Sequence, residues 1–142
     1  MKKCFAILLI VLMALSLPAC GNGKENTIVG TWEYDLEATL EANIKANLIS
    51  EEAAEYARRV QATNGLQIVY TFTANGKVTY TASAAEQSNT ETGEYRIEGN
   101  RLYMPQDSVM EFVISGKHLT LTEYYATDDG GTVPAIVVLT RK

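Results

Sequence analysis

His118 is the only histidine of the chain, and histidine is the side chain best suited to proton transfer near neutral pH. A histidine base needs a nucleophile within hydrogen-bonding reach and a third group that orients it. The sequence contains no Gly-x-Ser-x-Gly elbow, and no other motif surrounds its serines. We therefore expect His118, which follows the turn Gly116-Lys117, to be an exposed hairpin residue, and we expect no enzymatic activity.

Two acidic segments invite comparison with metal or acid–base sites. Asp128 to Gly131 contains adjacent aspartates, but a calcium loop needs further oxygen ligands at alternating positions. Glu51, Glu52 and Glu55 stand where a helix is predicted to begin, and the helix dipole favours negative charge there. We interpret the first segment as a turn and the second as a solvated helix face. Neither a metal nor a cofactor is expected.

The eight tyrosines are the most informative side chains of the domain. Several fall on the predicted inward faces of strands, where a hydroxyl group needs a partner. A cavity holding water or a ligand can supply that partner, whereas the rings can equally fill a small packed interior. The candidate cavity residues are Tyr34, Tyr70, Phe72, Tyr80, Tyr95, Met110, Phe112 and Leu121. The outer face is predicted to carry Tyr103, Tyr124 and Tyr125.

Residues 1–19 have the pattern of an export signal. Lys2 and Lys3 give a positive start, and an apolar run of about fifteen residues follows, shorter than the ~20 of a membrane-spanning helix. The segment closes with Leu17-Pro18-Ala19-Cys20, which resembles the lipobox of bacterial lipoprotein signal peptides. That resemblance implies cleavage before Cys20 and acylation of its sulphur, and usually of its new amino group, with palmitate or a similar fatty acid.

Acylation of Cys20 implies an extracytoplasmic protein anchored to a bacterial membrane, inner or outer, with membrane lipid as its partner. Each buried methylene contributes ~0.8 kcal/mol, so two or three acyl chains hold the protein permanently. Residues 20–27 are polar and glycine-rich and are predicted to form a flexible tether. Because Cys4 leaves with the signal, no cysteine remains for a disulfide or a thiolate metal site.

The charge of the mature chain narrows the choice of partners. Without Lys2 and Lys3, ten basic residues face seventeen acidic ones, a formal charge of −7. Such a surface repels nucleic acid and anionic lipid headgroups, so neither is an expected partner. Residues 28–142, about 115 in number, are enough for one domain that buries roughly two thirds of its unfolded surface.

The pattern of apolar residues predicts one strand, a helical insertion and then a series of strands. Alternation over Ile28 to Leu36 predicts the first strand. Apolar residues then recur every four positions, which predicts a helix over Leu36 to Leu48. Ser50 is a typical N-cap, and we expect a second helix over Glu51 to Thr63.

From Leu66 onward the apolar period is two, with Asn75-Gly76 as a strong hairpin signal. The polar stretch Ala84 to Thr92 is predicted to be a mobile loop, and Val133 to Arg141 a last strand. The total is about eight strands with short connections. The sequence therefore predicts a mainly β, antiparallel up-and-down barrel, since closure of such a sheet removes both edges.

Gly30-Thr31-Trp32 on the first strand resembles the Gly-x-Trp opening of the lipocalin superfamily, and the chain is similar in particular to small bacterial lipocalin-like lipoproteins. The resemblance covers Ile28 to Lys142 and implies a lipocalin-like barrel closed at one end by Trp32. In the family a basic residue late in the barrel lies over this tryptophan, a place implied here for Arg141. The chain departs from secreted lipocalins by lacking their disulfide and by its helical insertion, which is placed to plug the barrel mouth.

Two functions fit this sequence. The first is a lipid-tethered binding protein that holds a small apolar or amphipathic ligand inside the barrel, with the helices as a lid. The second is a non-enzymatic interaction module of the cell envelope, an inhibitor or assembly factor with a packed core. This second function requires an exposed apolar patch for an envelope protein partner.

Overall fold

The computed structural model describes residues 27–142 of the chain. The signal segment, Cys20 and most of the tether lie outside the described residues. The strands are β1 (Gly30–Tyr34), β2 (Gln67–Phe72), β3 (Lys77–Ala84), β4 (Gln87–Glu94), β5 (Arg96–Glu98), β6 (Arg101–Tyr103), β7 (Val109–Ser115), β8 (His118–Ala126) and β9 (Thr132–Arg141). The helices are α1 (Leu36–Lys45) and α2 (Glu51–Asn64), and a short 3₁₀ segment spans Pro105–Asp107.

The nine strands form one antiparallel sheet in the order β4-β3-β2-β1-β9-β8-β7-β6-β5. Strands that are consecutive in the chain pair with each other, with the exception of β4 and β5, which do not pair. The first and last strands, β1 and β9, pair as well. Trp32 of β1 lies opposite Tyr70 of β2 on one side and Arg141 of β9 on the other. The sheet therefore curls into a nearly closed lipocalin-like barrel with a seam between β4 and β5, which confirms the predicted fold class.

The prediction of a mobile loop over Ala84 to Thr92 is wrong, because most of it belongs to β4, and this strand brings the total to nine. Along β4 the hydroxyl groups face those of β3, as in the contact of 3.1 Å between the Oγ1 atoms of Thr81 and Thr90. A strand at the edge of a sheet with both faces wet needs no apolar alternation. β4 is therefore a strand without the alternation of apolar and polar residues on which the loop prediction relied.

Helix α1 takes the place of a strand beside β9. β1 ends at Tyr34, whereas β9 extends beyond it with backbone groups that need partners. The Thr39 hydroxyl accepts a hydrogen bond from the Val138 N–H at 2.9 Å, and the Asn43 amide donates to the Ile136 carbonyl at 2.8 Å. Both α1 side chains are buried, so the helical insertion is fixed along the edge of β9.

Helix α2 begins at the predicted residue and ends one residue later than predicted, and it packs less closely than α1. The Ser50 hydroxyl accepts from the Ala53 N–H at 3.2 Å, and Gly65 ends the helix at a φ of 58°, which glycine adopts at little steric cost. Ala54 is fully buried, whereas Tyr56 is 65 % exposed. Within residues 27–142, no helix combines the length and apolar character needed to cross a bilayer.

The core occupies the interior of the barrel around Trp32. The buried members of this cluster are Ile28, Trp32, Phe72, Val78, Leu102, Leu119, Leu121 and Leu139. They come from both the early and the late strands, so the cluster exists only when β1 and β9 are paired.

Arg141 and Trp32 together hold the segment that leads into β1. The guanidinium carbon of Arg141 lies 4.1 Å from the centre of the Trp32 ring system, a cation–π distance. Its Nη1 and Nη2 donate to the carbonyls of Val29 and Thr27 at 3.0 and 2.6 Å. The Trp32 Nε1 donates to the Ile28 carbonyl at 2.7 Å. Three successive carbonyls are thus bound by these two side chains.

Gly30 is required by this arrangement. Its φ is 140°, a value that side chains rarely allow, and a Cβ atom there would lie 2.7 Å from the Arg141 Nη1. The Gly-x-Trp pattern therefore has a local physical cause: glycine leaves room for the guanidinium that covers the indole.

Candidate functional site

A pocket of about 300 Å³ lies at the seam, between β4 and the segment that joins β6 to β7. Its lining includes Tyr70, Tyr80, Glu91, Met104, Ser108 and Met110. The antiparallel register pairs Tyr80 with both Tyr70 and Glu91, so these three side chains lie on the same, inward face of the sheet. The pocket therefore opens from the barrel interior at the place where the sheet fails to close.

The eight candidate cavity residues divide into two groups. Those that line the seam pocket are Tyr70, Tyr80 and Met110. Those that belong to the core or pack against it without lining this pocket are Tyr34, Phe72, Tyr95, Phe112 and Leu121. The interior is consequently packed around Trp32, and the pocket lies at the seam, beside this core.

The aromatic rings connect the pocket to the core. The ring centres of Tyr70 and Tyr80 are 5.1 Å apart with their planes tilted by 57°. Tyr70 stacks on Phe72 at 6.2 Å, and Phe72 meets Tyr95 edge-on at 5.0 Å. Such pairs contribute about 0.5–1.5 kcal/mol each beyond their buried area. The pocket wall is thus continuous with a rigid aromatic row.

Burial, together with smaller contributions from the nearby Tyr80 and Glu123, raises the pKa of the Tyr70 hydroxyl to about 12. Its ordinary value is 10.0, so an unfolded Tyr70 ionises at lower pH than the folded one. Ionisation therefore favours unfolding as the pH rises from 10 toward 12, and the stability associated with neutral Tyr70 is fully present only below pH 10.

We expect the Tyr70→Phe variant to lose less stability than the wild type over this alkaline range. Thermal unfolding followed by circular dichroism, from neutral pH to about pH 12, measures the slope of Tm against pH. Tyr56→Phe is the matched control, because Tyr56 is 65 % exposed on α2. Identical alkaline slopes for wild type and Tyr70→Phe would contradict the assignment.

The residues after β6 form the outer wall of the pocket. Gln106 and Asp107 have φ values of 64° and 59°, in the left-handed region that few non-glycine residues occupy. Pro105 packs directly on Gly93 of β4, where an added Cβ would lie 2.3 Å from the proline Cγ. Gly93 is therefore the contact through which β4 and this wall approach each other across the seam.

We expect Gly93→Ala to destabilise the domain by about 1–3 kcal/mol, because the added methyl group overlaps the Pro105 ring. Pro105→Ala removes the overlapping Cγ, so the double variant should recover part of that loss. Urea unfolding of the two single variants and the double variant measures the coupling between the sites. Additive free energies of unfolding would show that the close approach is absent in solution.

Two carboxylates stand at this pocket, one on each side of the seam. The Glu91 Oε2 accepts from the Gln106 amide at 3.5 Å, so this contact also spans the seam. Glu123 of β8 accepts from the Ser108 hydroxyl at 3.2 Å and from the Tyr125 hydroxyl at 2.6 Å. Neutral donors thus orient both carboxylates.

Sequence patterns missed Glu91, Glu123 and the wall at Pro105–Asp107. Glu91 was not predicted as a pocket residue because its strand was predicted to be a loop. If the alternation of β3 is continued from Tyr80 through a tight turn into β4, Glu91 falls on the inward face. Glu123 follows Leu119 and Leu121 at the same spacing and shares their face.

The other residues considered for chemistry have different surroundings. His118 is half-buried at the start of β8, which corrects the expectation of an exposed residue. Tyr103 lies under the Arg96 guanidinium at 3.8 Å, and Tyr124 donates to Glu111 at 3.3 Å. Tyr125 shares the face of Glu123, so its predicted place on the outer face is wrong. Across residues 27–142, no three His, Cys, Asp or Glu side chains cluster as metal ligands.

No protein-family model matches the sequence, and the search of curated proteins finds no match either. The geometry of the seam pocket is consequently the basis for assigning a function.

Proposed function

We propose that this protein is an extracytoplasmic lipoprotein, tethered to a bacterial membrane through acylated Cys20, that binds a small apolar or amphipathic molecule in its lipocalin-like barrel. The observation that carries the proposal is the seam pocket of about 300 Å³, a volume at the lower end of the range for ligand sites. The ligand is therefore small. No nucleic acid, metal or cofactor enters the proposal.

The lining supports a ligand with a substantial apolar part. Val78, Met104 and Met110 give the pocket an apolar surface, and unbranched methionines adapt to the shape of a bound molecule. Tyr70 and Tyr80 add flat, rigid faces with one polar atom each. A mostly apolar wall with a few placed polar groups is the usual composition of a small-molecule site.

No residue of α1 or α2 lines the pocket. The proposal therefore assigns the wall of the site to Pro105–Asp107 and not to the helices, which had been expected to act as a lid. Since α1 bonds to the backbone of β9, its role is to complete the barrel where β1 ends.

A pocket-filling variant tests the proposal. We expect Met110→Trp to occupy the pocket and to exclude its ligand, whereas Val113→Trp, on the opposite face of β7 and 62 % exposed, leaves the pocket intact. Full-length proteins purified from membranes are extracted with organic solvent, and the extracts are compared by mass spectrometry. A small molecule present with wild type and Val113→Trp but depleted with Met110→Trp is the expected result. Equal extracts from all three proteins would refute the proposal.

The interaction module remains a second candidate because of one observation on α2. Tyr56 and Val60 lie one turn apart and are 65 % and 39 % exposed, an apolar pair that the domain leaves uncovered. A photo-crosslinking residue at position 56 in cells should then capture a protein partner, and one at Glu51, which is exposed on another side of the same helix, should capture less. Absence of a specific crosslink at position 56 would remove the support for this candidate.

A further inference from the structure

The charge at the seam pocket has one sign only. Among residues 27–142, Glu91 is the only charged residue that lines the pocket, and no lysine, arginine or histidine of this range lines it. Glu123 stands directly behind the lining, bonded to Ser108 at 3.2 Å. A molecule in this pocket is therefore exposed to negative potential from both walls of the seam.

Within residues 27–142, no basic side chain forms an ion pair with either carboxylate. The ion pairs of this part of the chain use Glu33, Glu37, Glu55 and Glu98. The contacts of Glu91 and Glu123 are instead with neutral amide and hydroxyl donors, which orient a carboxylate without cancelling its charge. The negative charge at the seam is consequently available to a ligand.

The aromatic pair complements this charge. Tyr70 and Tyr80 form a corner of two rings, 5.1 Å apart and tilted by 57°, beside Glu91. The face of a tyrosine ring attracts a cation, and aromatic corners of this kind are a recurrent way of binding organic ammonium groups. The thioethers of Met104 and Met110 offer apolar contact to the rest of such a molecule.

We propose that the seam pocket selects a cationic ligand: a small organic amine or quaternary ammonium compound whose charged group lies between Glu91 and the Tyr70–Tyr80 corner and whose apolar body contacts the two methionines. This inference rests on the proposed ligand-binding function and names the class of ligand. A bare metal ion fits less well, because it would leave the apolar lining without a partner and needs more oxygen ligands than this pocket supplies. An anionic lipid or fatty acid would meet like charge.

Three probes of matched size separate charge from shape: 2-phenylethylamine, 2-phenylethanol and 3-phenylpropionate. Mature acylated protein in phosphatidylcholine nanodiscs is titrated with each probe by calorimetry, with empty nanodiscs as the reference. We expect the amine to bind about tenfold or more tightly than the alcohol, since cation–π and carboxylate contacts are added to the same apolar body. The propionate should bind most weakly, and added salt should reduce the preference for the amine.

Glu91→Gln and Glu123→Gln remove each charge with little change of shape, and Glu94→Gln is the control on the opposite face of β4. Glu91→Gln should lower amine affinity about fivefold or more and leave alcohol affinity unchanged, with a smaller effect for Glu123→Gln because that carboxylate stands behind Ser108. Alcohol binding that equals amine binding, or an amine affinity unaffected by Glu91→Gln, overturns the cationic ligand while leaving the pocket as a binding site. Failure of all three probes, together with extracts unaffected by Met110→Trp, counts against the proposed function itself.

Discussion

Replacement of Cys20 by alanine is expected to abolish the incorporation of radiolabelled palmitate into this protein in a bacterial host. The thiol of Cys20 is the acceptor implied by the lipobox, and no acyl chain can be attached to alanine at that position. The retained label should fall to background, and cleavage before residue 20 should stop, which gel mobility detects. Loss of the acyl chains removes about 0.8 kcal/mol of membrane binding for each methylene that they bury.

Cys4→Ala is the matched control, since Cys4 is the only other cysteine of the sequence and lies within the predicted signal segment. It should leave labelling and processing at wild-type levels. Persistent label in Cys20→Ala, or loss of label in Cys4→Ala, would be incompatible with the lipoprotein assignment and would leave the barrel without its proposed tether.

The second large effect is expected from Trp32→Ala. This side chain is fully buried, lies under the Arg141 guanidinium and bonds to the Ile28 carbonyl. Removing a buried indole costs about 3–5 kcal/mol, a large fraction of the 5–15 kcal/mol by which domains are usually stable. For a domain of this size the loss corresponds to a fall in Tm of roughly 10–25 °C. Thermal unfolding by circular dichroism measures it.

Two further variants test whether the loss of stability in Trp32→Ala comes from removing a buried aromatic ring. Val113→Ala, at a position 62 % exposed on β7, should change the free energy of unfolding by less than about 0.5 kcal/mol. Trp32→Phe keeps an aromatic ring in the core and should recover part of the loss. A Trp32→Ala protein as stable as Val113→Ala would show that β1 and β9 do not close over a common core.

Much of the fold could be predicted because local signals and global packing agree. Period-four apolar residues predicted α1, although this helix ends at Lys45 and not at Leu48, and Ser50 correctly marked the start of α2. Asn75-Gly76 predicted the hairpin of β2 and β3. β4 could not be found by its hydropathy, because its polar residues are stabilised by pairing with β3 and not by burial. The strand count was low for that reason.

The seam and its pocket were beyond sequence patterns for a different reason. The wall of the pocket meets β4 where Pro105 packs on Gly93, and these two residues belong to separate hairpins. Local periodicity carries no information about such a contact. The periodicity does place Tyr70, Tyr80 and Met110 on inward faces. It cannot distinguish these pocket-lining residues from Phe72 and Leu121, which are buried in the core.

The pairing of β1 with β9 has a consequence for how this protein is made. β9 follows all the other strands in the chain, yet its place in the sheet is between β1 and β8. Arg141 cannot cover Trp32 until β9 has been synthesised, so the native domain forms only after the preceding residues have been made. Such long-range closure folds slowly. Slow closure is compatible with the proposed export, because a chain that has not yet folded can pass through a narrow translocation channel.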